Sequence, residues 1–135
     1  MDDRRKDLAS YRLNQSKDSL KVAEMCFENG ILKDAINRSY YAAFYAIKAV
    51  LALEEVDFRR HKDVIGYFNK TYIATEKFPK ELGRRTARLQ QMRERSDYDD
   101  FFIVSQNDTK SQIESAELII QEVEGYLVKE FELQI

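Results

Sequence analysis

The 135-residue chain contains four glycines, one proline and one cysteine, and each scarcity excludes a class of protein. So few turn-forming residues do not suit a β-sandwich or β-barrel, which needs a turn about every ten residues. A single cysteine, Cys26, cannot form an internal disulfide bond, which fits a reducing compartment. No apolar run approaches the ~18 residues of a membrane span, and the charged first seven residues do not resemble a secretion signal. We therefore expect a helical, cytoplasmic protein.

Further absences narrow the chemistry. One histidine and one cysteine cannot form a zinc site of the usual Cys/His kind, and there is no glycine-rich phosphate loop and no Gly-x-Ser-x-Gly elbow. Helical carboxylate pairs such as Glu114 and Glu117 lack the Glu-x-x-His that accompanies di-metal sites. A net charge of −2 and a pI of about 5.5 create no overall basic field for nucleic acid. The sequence predicts no metal and no cofactor.

What the chain does contain is apolar residues at helical spacing. Hydrophobic residues make up 44%, with eight tyrosines and eight phenylalanines, which suffices for a core. Helices are predicted over about 8–28, 33–55, 61–72, 79–96 and 109–127. The second of these is apolar on nearly every face, so it should lie at the bundle centre or at a subunit interface. The connections are short. We therefore predict an all-α, antiparallel up-and-down helical bundle of four main helices plus a short additional helix, in one domain of residues 1–135.

Local signals place the helix ends. Gly30 should end the first helix, because glycine readily adopts the positive φ of a helix C-terminus. Pro79 should open the fourth helix. Residues 97–108 are predicted to form a loop, and Thr109 with Gln112 forms the pattern of a capping box that would open the last helix.

Charge is distributed unevenly. Residues 80–95 carry six cations against two acids, whereas residues 108–135 carry seven acids and two lysines. One interpretation is that the fourth and fifth helices face each other and pair these charges, and charge alone favours it. The other is a cationic strip that faces phosphate, because arginine suits bidentate phosphate contacts.

Two stretches carry a resemblance to a known family. The segments DAINRSYYAAFYA (34–46, with Leu51 after it) and RERSDYD (93–99), together with His61, resemble the HEPN domain in its small stand-alone prokaryotic branch. The resemblance covers about residues 8–127, and the Arg-x-Tyr-Tyr-Ala block, residues 38–42, is its most specific element. It implies a helical bundle, commonly dimeric, and pairing with a minimal nucleotidyltransferase protein, often as a toxin–antitoxin couple. We expect a homodimer with the second helix and residues 93–98 near the interface.

Many members of the wider family are metal-independent RNases, and this resemblance implies how such a site would work. An arginine holds the scissile phosphate, and a histidine four to six residues later moves the proton. Here the only histidine, His61, directly follows Arg59 and Arg60, and the matching place is Arg93 with Tyr98 where the histidine would be. Tyrosine has a pKa near ~10 and is a poor base at neutral pH. Whether the chain is an enzyme is therefore open.

The candidate residues form two sets. The catalytic candidates are Arg93, Asp97 and Tyr98. The ligand-binding candidates are Arg38, Tyr41, His61 and Arg95. Each has a structural alternative. Arg38 could form a salt bridge with Asp97, Tyr41 could pack in the core, and His61 could simply begin a helix.

Three functions follow. In the first, which the missing histidine favours, the chain is the HEPN half of a nucleotidyltransferase-linked, toxin–antitoxin-type pair. It acts as a module that binds nucleotide or RNA phosphate, or as a regulatory module, without robust nuclease activity. The family resemblance implies that the partner adenylates a tyrosine near the motif, which would be Tyr98. In the second, it is a metal-independent RNase toxin that uses Arg93 with Tyr98 or Asp97. In the third, it is a helical scaffold dimer without a ligand.

Overall fold

The computed structural model describes residues 3–133, with side chains from Arg4 onward, and the prediction of an all-α helical bundle is confirmed. Residues 3–133 form five α-helices and one π-helical turn, and no strand. The elements are α1 (Asp3–Glu28), α2 (Leu32–Ala52), α3 (His61–Phe68), the π-helical turn (Asn69–Ile73), α4 (Lys80–Tyr98) and α5 (Gln106–Phe131). No helix in this part of the chain is long and apolar enough to cross a lipid bilayer.

Helices α1 and α2 pack closely and antiparallel. Arg5 near the start of α1 donates to the carbonyl of Leu53 just after α2, whereas Ser16 farther along α1 donates to the carbonyl of Ala42 farther back in α2. Close approach is possible because both helices bury small side chains. These are Ala9, Ser16, Ala23, Ala42, Ala46 and Ala49, each 0% exposed.

Helix α2 lies at the centre of the bundle, as one of the two interpretations of its apolar surface predicted. It packs against α1, α3, α4 and α5, and thirteen of its residues are buried. A central helix meets neighbours on several sides, so apolar residues on nearly every face are needed. The same helix carries the polar side chains that build the site described below.

Two predicted helix ends are confirmed, and several others differ from the structure by a few residues. Gly30 has a φ of +75° after α1, and Pro79 directly precedes α4. However, α4 continues to Tyr98, so the connection to α5 spans only 99–105. The predicted third helix also changes hydrogen-bonding pattern after Phe68 and ends as a π-helical turn.

The capping box predicted at Thr109 is wrong as well. Ser105 is the N-cap of α5, and its hydroxyl accepts a hydrogen bond of 3.0 Å from the backbone N–H of Asp108. Ser105 therefore supplies the capping oxygen four residues earlier than predicted. Thr109 lies inside the first turn, where its hydroxyl donates to the Ser105 carbonyl.

The predicted charge pairing between α4 and α5 is also wrong for the part of the chain that the structure describes. Both ion pairs of α4 join residues one turn apart on that helix, namely Arg85–Glu81 at 2.8 Å and Arg93–Asp97 at 3.1 Å. The side-chain hydrogen bond from α4 to α5 runs from Arg85 to the neutral hydroxyl of Ser115, at 2.9 Å. The cations of α4 thus form no ion pair with the acids of α5.

Enlarging a small residue between α1 and α2 should destabilise the fold. We expect Ala42→Leu to lower the free energy of unfolding by about 1–3 kcal/mol, because the fully buried site has no room for three more carbons. Urea denaturation measures this, and Ala87→Leu on the exposed side of α4 is the matched control, expected within ~0.5 kcal/mol of the natural protein. Equal stability of both variants would contradict close packing of the two helices.

Candidate functional site

A group of aromatic rings forms the base of the candidate site. Tyr40 and Phe44 lie one turn apart on α2, so their side chains share a face of that helix. The His61 ring, at the start of α3, packs on this face with its centroid 4.1 Å from that of Phe44. The Tyr40 hydroxyl lies 3.0 Å from His61 Nδ1, which joins α2 to α3 by a hydrogen bond.

Helix α4 adds a cation to these rings. The guanidinium carbon of Arg93 lies 5.2 Å from the ring centroid of Tyr40 and 5.6 Å from that of Tyr41, within the range of cation–π attraction. Nη2 of Arg93 also lies 3.4 Å from the Tyr41 hydroxyl. On the helix itself, Arg93 Nε lies 3.1 Å from an Asp97 carboxylate oxygen. Two rings and one carboxylate therefore fix the guanidinium in place.

The surroundings set the protonation state of each group. Burial lowers the pKa of His61 below its usual 6.5, and the positive charges of Arg93 and Lys48 lower it further. Burial raises the pKa of Tyr40 to about 12, although the charge of Arg93 acts in the opposite direction. At neutral pH the site thus combines a neutral imidazole, a protonated phenol and a charged guanidinium. In the tautomer with hydrogen on Nδ1, Tyr40 accepts that hydrogen and Nε2 of His61 can accept a proton.

A second arginine stands at the outer edge of the cluster. Arg38 is exposed, and its guanidinium carbon lies 5.6 Å from the centroid of the Tyr41 ring, the same distance as that of Arg93. The hypothesis that Arg38 forms a salt bridge with Asp97 is wrong, because Asp97 pairs with Arg93 one turn earlier on α4. Tyr41 therefore lies beside two cations.

The remaining two candidates lie elsewhere on α4. Tyr98 is 77% exposed and contacts none of the cluster, because five residues after Arg93 the helix has turned by roughly 140°. Arg95 is exposed, and its guanidinium carbon lies 4.3 Å from the centroid of the Phe102 ring. The structure thus brings together Arg38, Tyr41, His61, Arg93 and Asp97. It leaves Arg95 and Tyr98 outside the cluster.

Sequence reasoning did not assign Tyr40, Phe44 and Lys48 to a site, although all three contribute. Lys48 lies with its Nζ 5.9 Å from the Phe44 ring centroid and 3.6 Å from an Asp57 carboxylate oxygen. The spacing of 40, 44 and 48 places these three side chains on one helix face, which was the available signal. Nothing in the sequence indicates that His61 would meet that face.

The donors of this cluster suit an anion. Arginine guanidinium groups bind phosphate or carboxylate oxygens, and the Tyr41 hydroxyl is a neutral donor beside them. The side chains described, from Arg4 to Leu133, include no group of three His, Cys, Asp or Glu residues that could hold a metal ion. The chemistry present is that of one partly buried cation next to one neutral base.

Comparisons with known proteins identify the family of the chain. The family model described as the HEPN domain matches residues 9–126, most of the chain. The chain is 30% identical over 117 residues to "UPF0332 protein" of Thermotoga maritima, which covers 87% of this chain and 89% of that protein. It is 31% identical over 113 residues to "Putative toxin MJ0605" of Methanocaldococcus jannaschii, which covers 83% of this chain and 78% of that protein.

A second protein of the same archaeon, "Putative toxin MJ0142", is 23% identical over 116 residues, which cover 86% of this chain and 79% of that protein. Because the family model spans well over half of the chain, the chain belongs to the HEPN domain family. It is related to proteins named as toxins.

The lowered pKa of His61 should make stability sensitive to mild acid. A histidine whose pKa is lower in the folded state takes up a proton more readily when unfolded, so stability present at neutral pH is lost as the pH falls through about 6.5. We expect the free energy of unfolding, measured by urea denaturation, to decrease more steeply in the natural protein than in His61→Gln as the pH is lowered. His61 is the only histidine, so the difference between the two profiles reports the loss of its titration. Parallel pH profiles would contradict the shift.

Proposed function

We propose that this protein is the HEPN half of a toxin–antitoxin-type pair with a minimal nucleotidyltransferase, and that it binds the phosphate of a nucleotide or RNA at the Arg93 cluster. The observation that carries the proposal is the contact of the Arg93 guanidinium with two tyrosine rings and with the Asp97 carboxylate. A cation held in this way loses little conformational entropy when it binds an anion.

The partial burial of Arg93 and its free donor support a phosphate ligand. Its side chain is 19% exposed, and Nη1 makes no hydrogen bond with any residue of 3–133. A donor that is free but largely shielded from water interacts more strongly with an anion than an exposed one does. Arg38, exposed beside Tyr41, adds a second cation at the outer edge of the cluster.

The nucleotidyltransferase partner belongs to the same proposal. Two relatives are named as toxins, and a toxin requires a factor that silences it. Tyr98 lies 77% exposed on the last turn of α4, so its hydroxyl is accessible to an enzyme that transfers an adenylyl group to it. Its role in this proposal is that of a modification site rather than a catalytic residue.

A homodimer is part of the proposal too. Ile103, in the connection that follows α4, is 88% exposed, and apolar surface of this kind favours association. A second copy would bury this side chain near residues 93–98. A monodisperse monomer at micromolar concentration in sedimentation equilibrium would refute the dimer.

Replacing Arg93 should remove phosphate binding without unfolding the protein. We expect Arg93→Gln to weaken the affinity for a single-stranded oligoribonucleotide at least tenfold, because a charge-assisted contact contributes about 1.5–3 kcal/mol. Fluorescence anisotropy measures the binding, and circular dichroism checks the fold. Arg60→Gln, an exposed arginine that precedes α3 and pairs with Asp63, is the control with the same change of charge. Equal affinities for the two variants would contradict the assignment.

A second candidate function is metal-independent RNA cleavage, and one observation favours it. This chain lacks the histidine of the family motif, but the neutral ring of His61 packs against the same tyrosines as Arg93. Nε2 of His61 would take the proton of the ribose 2′-hydroxyl as its oxygen attacks the phosphorus held by Arg93, and would pass that proton to the 5′-oxygen as the P–O5′ bond breaks. The products would be a 2′,3′-cyclic phosphate and a 5′-hydroxyl. In this candidate His61 replaces Tyr98 and Asp97 as the base, because Tyr98 points elsewhere and Asp97 pairs with Arg93.

Incubation of RNA with the purified protein in excess chelator tests this candidate. Cleavage that persists in chelator and falls at least a hundredfold in both Arg93→Gln and His61→Gln is the expected result, since general-base catalysis contributes about 10²–10⁴-fold. Tyr98→Phe is the control and should cleave at the rate of the natural protein. Cleavage lost in Tyr98→Phe but retained in His61→Gln would return the base to Tyr98. Absence of cleavage in the natural protein would leave binding as the function.

A further inference from the structure

The outer face of α4 carries cations that the protein leaves unpaired. Of the six basic residues on this helix, Arg85 and Arg93 form ion pairs within it. The other four, which we call the α4 stripe, are exposed and have no carboxylate oxygen within 4.0 Å in the described part of the chain. The α4 stripe consists of Lys80, Arg84, Arg88 and Arg95.

Helical geometry places the α4 stripe on one side of α4. At about 100° per residue, the four positions fall within a sector of roughly 80°, and they extend along the axis for about 22 Å. Arg93 lies half a turn away from Arg84 and points toward α2. The α4 stripe is therefore a different surface from the Arg93 cluster and shares no residue with it.

A polar groove runs beside the first half of the α4 stripe. It is a cavity of about 360 Å³ between α4 and α5, which Arg84 and Arg88 line from one side. From α5 it is lined by Gln112, which is 3% exposed and whose Oε1 is buried without a hydrogen-bond partner in the described chain. An orphaned acceptor of this kind is satisfied when a ligand brings a hydroxyl or amino group. Arg85, Glu81, Asp108, Ser111 and Ser115 complete the lining, which leaves a net charge of +1 from three arginines and two acids.

Exposed aromatic rings stand at the other end of the α4 stripe. Tyr98 falls in the same angular sector as Arg84, and it is 77% exposed. Phe101 follows three residues later and is 93% exposed. Aromatic side chains beside a cationic track are the usual platform on which unpaired bases stack.

We propose that the outer face of α4 binds single-stranded RNA, with phosphates along the α4 stripe and unpaired bases stacked on Tyr98 and Phe101. An acidic protein is less well matched, because stable protein interfaces have an apolar centre, and here only Ala87 and Gln91 lie between the cations. Three of the four cations are arginine, which contacts phosphate oxygens in pairs. The inference extends the proposed binding of RNA phosphate to a second surface.

The salt dependence of RNA binding tests this proposal. Binding of a fluorescein-labelled oligouridylate by the full chain is measured by anisotropy over a range of KCl concentrations. Each phosphate contact contributes about 0.7 to the slope of log affinity against log salt for a single strand, so Arg84→Gln with Arg88→Gln should reduce the slope by about 1.4. Lys21→Gln with Lys33→Gln, two exposed cations on α1 and α2, is the matched control and should leave the slope unchanged. Tyr98→Ala should weaken binding roughly five- to one-hundred-fold at an unchanged slope.

Two results would overturn the proposal. One is an unchanged slope in the Arg84/Arg88 variant, and the other is no RNA binding by the natural protein. Loss of binding in Arg93→Gln alone, with the Arg84/Arg88 variant normal, would support the Arg93 cluster and reject the α4 stripe. If the Arg84/Arg88 variant loses binding to labelled polyglutamate but keeps its RNA affinity and slope, the α4 stripe is a site for an acidic protein instead.

Discussion

The contact of the Arg93 guanidinium with Tyr40 and Tyr41 is the interaction on which the site depends. A partly buried cation is costly unless its surroundings stabilise it, and here two ring faces and the Asp97 carboxylate do so. The same contact joins α4 to the central helix α2, and the hydrogen bond from Tyr40 to His61 extends the connection to α3. The group that would bind an anion therefore also contacts side chains that link these three helices.

Helix α4 presents two basic surfaces of different kinds. Its inner side carries one arginine with defined partners, a geometry suited to a single phosphate. Its outer side carries a row of exposed, unpaired cations that a chain of phosphates would neutralise. The side-chain hydrogen bond between α5 and α4 is made by the neutral Ser115 rather than by a carboxylate, so neither surface forms an ion pair with the acids of α5.

The sequence was sufficient for much of the fold, because apolar spacing and glycine and proline signals act locally. The predictions that were wrong failed for physical reasons. Ser105 caps α5 ahead of Thr109, and helical continuation through Tyr98 turns that tyrosine away from Arg93. The ion pair of Arg93 with Asp97, four residues apart, was readable from spacing alone. The approach of His61 to Arg93, 32 residues apart in the chain, was not, because only the packing of α2 against α3 and α4 creates it.

The central claim is that Arg93 lies close enough to His61 to act on its protonation, and one measurement tests it directly. The pKa of His61 can be followed without ambiguity by proton NMR, since the chain has no other histidine. The account predicts that Arg93→Gln raises this pKa, because a nearby positive charge is removed, and that Arg95→Gln leaves it unchanged because Arg95 faces away from the cluster. An unchanged pKa in Arg93→Gln would contradict the assembled site.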